Sequence, residues 1–172
     1  MSESIVILGA ARTPMGGFQG DFASLAAHDL GGAAIRAAVE RLKVEHVMVV
    51  GHYGCSGVGA ALEGARIGLA DNWLRHIQDV RDLHRDLLEG IAEERRCDAL
   101  VELNAIEQVV NVAQSTVLQD AWLRGQVVAL HGWVYGIHDG LLKDMGITIT
   151  GNDSLEAVYK AAIQGVGQAK RH

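Results

Sequence analysis

Residues 47–58 read VMVVGHYGCSGV, and the fold turns on how this stretch is read. Four β-favouring residues, 47–50, run into Gly51; His52 and Cys55 follow at a His-x-x-Cys spacing, and the glycines around Ser56 open toward a helix. An apolar run that stops at glycine puts the next side chains at the carboxyl end of a buried strand, where open α/β sheets place their ligands. Imidazole and thiolate together point to a soft or borderline metal, zinc first, which makes His52 and Cys55 candidate ligands. The bland alternative is a buried thiol beside a hydrogen-bonded imidazole.

Outward from that stretch, the periodicity predicts helices alternating with short strands. Residues 5–8 form a short apolar strand, and a glycine-rich connection holding Pro14 follows. A helix then starts near Ser24, with Leu25, Leu30, Ile35, Ala38 and Leu42 as core contacts, and Gly31 and Gly32 weaken it by ~1 kcal/mol each relative to alanine. A short helix spans residues 58–64. Residues 72–89 make one amphipathic helix whose Trp73, Ile77, Val80, Leu83 and Leu87 share a face, with Arg75 and Asp79, and Asp82 and Arg85, able to pair across turns. Residues 103–124 make a second long helix with Leu103, Ile106, Val110, Ala113, Val117 and Ala121 in its stripe, ended by Gly125. Residues 126–131 are a continuous buried strand carried through Trp133 and Tyr135 to a turn; residues 147–150 are an edge strand, and residues 152–163 a closing helix. The alternation argues an α/β fold: a three-layer domain with a mainly parallel β-sheet of four or five strands. Cys97 reads as a buried thiol placed before the second long helix, and His76 and His84 as ordinary helix histidines.

At 172 residues and 49% hydrophobic, the chain can bury one core without staples. Its formal charge of −6 comes entirely from the part after residue 44, and nothing in it suggests a nucleic-acid partner or an anionic membrane surface. Two cysteines make no disulfide framework, which fits a cytoplasmic protein. No segment approaches the ~20 apolar residues of a membrane helix.

Several segments together carry a family resemblance: LKVEHVMVVGHYGCSGV (42–58), NWLRHIQDV (72–80), ERR (94–96) with ELNAIEQV (102–109), and QSTVLQDAWLRGQVVALHGWVYGIHDGLL (114–142). In this order they resemble the bacterial β-class carbonic anhydrases, from about residue 43 to about 161. The resemblance implies a Zn2+ enzyme hydrating CO2 to bicarbonate, in which zinc lowers the pKa of bound water from 15.7 to about 7. It implies that His52 and Cys55 are the second half of the ligand set, that Tyr135 matches the tyrosine of a bicarbonate-binding regulatory site, and that the chain is a homo-oligomer. The family's first half, a C-x-D-x-R motif, is missing from this sequence: Ala10 and Ala11 stand near the place the cysteine would occupy, and Arg12 has no aspartate beside it. AARTPMGGFQG (10–20) instead resembles the opening of the thiolase (acetyl-CoA acetyltransferase) family. The expected organisation is a thiolase-like strand and helix at residues 1–43, grafted onto a β-carbonic anhydrase-like domain at 44–172. Half a ligand set should hold zinc weakly, in the roughly micromolar to sub-millimolar range. Impaired hydration is the reading that follows, and its alternative is a catalytically inactive oligomerising remnant.

Overall fold

The computed structural model describes residues 27–167 of the chain. The strand expected at residues 5–8, the connection after it, and Ser24 and Leu25 lie outside the described residues. The chain divides into two compact units.

The first unit comprises residues 27–45 and 115–128. Helix α1 (Ala27–Arg36) runs directly into a π-helical turn, Ala37–Arg41, closed by the Leu42 N–H donating to the Ala37 carbonyl at 3.2 Å. One extra residue in a turn rotates everything after it. Val39 becomes fully buried, and Leu42, expected in the core, stays exposed. The Gln126 side-chain amide donates to the Val39 carbonyl at 2.9 Å, tying helix α6 (Thr116–Leu123) and its following loop to the π turn. The single helix expected over 103–124 is therefore two, since the chain is extended at Ser115 (ψ 146°).

The second unit comprises residues 46–114 and 129–167. It contains β1 (His46–His52), α2 (Ser56–Glu63), α3 (Asp71–Leu83), α4 (Arg85–Glu89), α5 (Glu93–Ala113), β2 (Ala129–Tyr135), β3 (Leu142–Ile149) and α7 (Leu155–Gly165). The sheet order is β1-β2-β3, with β1 parallel to β2 and β2 antiparallel to β3. This corrects the expectation of a mainly parallel sheet of four or five strands: the sheet is mixed, and three strands are present among the described residues. Connection length is the reason. Only residues 136–141 separate β2 from β3, whereas a parallel return takes a dozen or more. The turn is tightened by the Gly136 N–H donating to the Leu141 carbonyl at 2.8 Å.

One sheet face is the core of this unit. Helix α5 lies across it with Leu100, Leu103, Ile106 and Val109 against Leu130, Val134, Ile147 and Ile149, all essentially without solvent exposure. Each such side chain stabilises the fold by ~1.5–3 kcal/mol. Gly132 sits at a β-bulge where a Cβ would lie 2.5 Å from Ile147 Cγ2 and 3.0 Å from Val109 Cγ2, so helix and strands close over a backbone with no side chain. Alternation along the strands sends His46, Met48, Val50, His52, Tyr135 and Leu142 to the opposite face, where they are exposed.

The amphipathic helix expected over 72–89 breaks at His84, and its buried face is Leu74, Val80 and Leu88, with Trp73 and Leu83 in solvent. The Arg81 guanidinium explains the rotation. It donates to the Ala61 carbonyl at 2.8 Å, satisfying the carboxyl end of α2, and so turns the Leu74–Arg81 side of α3 inward. Asp82 accepts from Arg85 at 3.1 Å as the spacing suggested.

Candidate metal centre

His52 is the last residue of β1 and lies opposite Tyr135. The Tyr53 N–H donates to the Tyr135 carbonyl at 3.0 Å, extending the ladder by one residue before Gly54 turns the chain at φ +71°. Only glycine adopts that conformation without strain, and the turn delivers Cys55 to the N-cap of α2. His52 Nδ1 lies 3.1 Å from the Tyr53 carbonyl; with Nδ1 protonated and donating there, Nε2 keeps its lone pair for a metal. Cys55 is a free cysteine, half-buried at that position.

Behind the loop stands a residue the sequence reading assigned no role. Glu102 on α5 is 5% exposed and collects three donors: the Tyr53 hydroxyl at 2.6 Å, Lys143 Nζ at 2.6 Å and the Gly167 N–H at 3.2 Å. A carboxylate inside the apolar stripe ALVELNAI (99–106) was the available signal, because buried acids are held only where partners are supplied.

The remaining candidates do not complete the centre. Cys97 lies inside α5 rather than before a helix, with its sulfur 3.9 Å from the Cβ position of Gly59. Burial first, then the charges of Asp98, Cys55 and Glu63, push its thiol above the usual range. His76 is exposed. His84 Nε2 is 2.7 Å from Glu107 Oε1, which also accepts the Tyr159 hydroxyl at 2.6 Å. Burial raises the Glu107 carboxyl, but the His84 and Tyr159 hydrogen bonds outweigh it and hold the group below its ordinary value. Tyr135 is 39% exposed at the end of β2.

Among the described residues no three His, Cys, Asp or Glu side chains converge on a point that could hold a metal ion. His52 and Cys55 are two donors, and a resident zinc takes four ligands, at least three of them from protein. The donor set does not fit a tightly held zinc and suits only a weak, partial site.

The family model described as "Carbonic anhydrase" matches residues 20–142. A carbonic anhydrase of Emericella nidulans is 42% identical over 120 residues, which are 69% of this chain and 53% of that protein. The solved β-carbonic anhydrase of Coccomyxa, in complex with acetazolamide, superposes with a TM-score of 0.71 at 32% identity, covering 79% of this chain and 62% of that one. The chain therefore spans about half the length of the curated relatives it matches. A shorter likeness runs to the acetyl-CoA acetyltransferase of Rhizobium meliloti: 57% identity over 44 residues, which are 26% of this chain and 11% of that enzyme. With a family match over most of the chain, and an α/β fold shared with a solved member, the chain belongs to the β-class carbonic anhydrase family.

Proposed function

We propose that this chain is a catalytically silent member of the family, which keeps the α/β fold and the His52–Cys55 half of a zinc centre but not a working CO2 hydratase site. The observation that carries this reading is the ligand count. His52 and Cys55 have no third protein ligand among the described residues, and the only other cysteine in the sequence, Cys97, is committed to α5. An ion held by one imidazole and one thiolate exchanges with water and buffer, so hydroxide generation has no stable platform.

The organisation that fits is a thiolase-like segment at residues 1–43 joined to the carbonic anhydrase-like remainder; the motif AARTPMGGFQG and the 44-residue likeness support it. Acyl-CoA chemistry does not follow from a match to 11% of that enzyme. CO2 and bicarbonate are the ligands the family suggests. Self-association is supported by Met48, Val50, Tyr135 and Leu142, exposed together on one sheet face. Two free cysteines suit a reducing cytoplasm, and none of the described helices is long and apolar enough to cross a membrane.

Dialysis against a mild chelator followed by metal analysis, with CO2 hydration followed by stopped flow, tests the proposal. The expected result is loss of zinc and hydration near the uncatalysed rate. One zinc per chain surviving dialysis, together with fast hydration, overturns it.

A further inference from the structure

We propose that His46 and His131 form a second metal site, for a borderline divalent ion such as zinc, on the sheet face opposite α5. His46 opens β1 and His131 lies on the adjacent β2, and the register His46↔Ala129 and Met48↔His131 makes them diagonal neighbours on one face. His46 Nδ1 and His131 Nε2 are 3.0 Å apart, and the ring centroids 5.2 Å. The far nitrogen of His131, Nδ1, lies 3.1 Å from Thr148 Oγ1, directly across on β3. When that Nδ1–H donates to the threonine, Nε2 turns its lone pair toward His46, the arrangement in which an oxygen acceptor fixes a ligating histidine.

In the metal-free pair a single proton joins the two nitrogens. A divalent ion takes its place once His46, an exposed residue, carries its proton on Nε2. Two nitrogens bound to tetrahedral zinc at 2.0–2.1 Å are ~3.3 Å apart, so the observed separation need open by only a few tenths of an ångström. Both ligands stand on paired strands rather than on a loop, which keeps this bite rigid. Two remaining positions go to water, giving a weak site that favours nickel, copper and zinc over magnesium or calcium. His46 and His52 are six positions apart on β1, about 20 Å of extended strand, so one ion cannot bridge this pair and the His52–Cys55 loop.

The test uses the full chain carrying Cys55→Ser, which removes the only thiolate of the other site. Zn2+ is titrated while imidazole resonances are followed by NMR, and Co2+ binding is followed by absorbance. Zn2+ should shift both His46 and His131, and the cobalt spectrum should contain ligand-field bands without sulfur charge transfer. Adding His46→Gln, at an exposed strand end, should weaken binding roughly 10- to 100-fold, and Thr148→Val by about tenfold. The proposal is overturned if Zn2+ shifts only His52, or if His46→Gln leaves the affinity unchanged.

Discussion

The two sides of the loop after β1 differ in completeness. Behind it, Glu102 has a donor from the loop, one from β3 and one from the chain beyond α7; in front of it, His52 and Cys55 belong to no group of three His, Cys, Asp or Glu among the described residues that could hold a metal ion. The polar group that cannot be left buried without partners is fully served, because an unpaired buried carboxylate would destabilise the fold by several kcal/mol. His52 is exposed and Cys55 only half-buried, so neither carries such a penalty.

Perturbing the rear should have the largest effect. Glu102→Ala strands Tyr53 and Lys143 and should lower stability by about 2–4 kcal/mol in urea denaturation; the one-third exposure of the Lys143 side chain keeps the value from going higher. A loss under about 1 kcal/mol would show the cluster to be incidental. Next comes Gly132→Ala, whose methyl must displace Ile147 and Val109, for a loss of about 1–3 kcal/mol by the same measurement.

A smaller effect is expected at Glu107. Its carboxyl is held below the ordinary value of ~4.3, so the folded state gains stability above that pH and loses it as pH falls through the lower folded value. Denaturation midpoints measured from pH 6 downward should show this increment in the parent chain, and Glu107→Gln should abolish it at a cost of about 1 kcal/mol at neutral pH. An unchanged acid limb in the variant would remove Glu107 from the account. The front should respond least: His52→Ala and Cys55→Ser should each change stability by no more than ~0.5 kcal/mol and leave CO2 hydration where it was. A large loss of activity in either would mean that the front is complete after all.

Much of the second unit was legible because its signals are local. The apolar run 47–50, the glycine at 54 and the stripe Leu103–Ile106–Ala113 each act within a few residues, and the strand, turn and buried helix face follow from them. Helix interruptions were not legible. His84 and Ser115 break helices without proline or glycine, and the π turn at Ala37–Arg41 rotates the face that follows it, so Val39 is buried and Leu42 exposed. Trp73 was displaced by a polar contact, Arg81 on the end of α2, that hydrophobic periodicity does not register. The direction of β3 was readable from the six residues before it, a length that outweighs the general preference of alternating helices and strands for parallel sheets.

The sequence by itself determined the ligand inventory: two cysteines, one His-x-x-Cys pair and no C-x-D-x-R, a count that no folding can enlarge. Tertiary structure alone decided which groups meet. Tyr53, Lys143 and Gly167 reach Glu102 from 41 to 65 residues away, and His131 reaches His46 across 85, because packing α5 under a mixed sheet sets those distances and covalent order does not. The same packing put Cys97 against α2 as a protonated thiol, leaving His52 and Cys55 with no third ligand among the described residues.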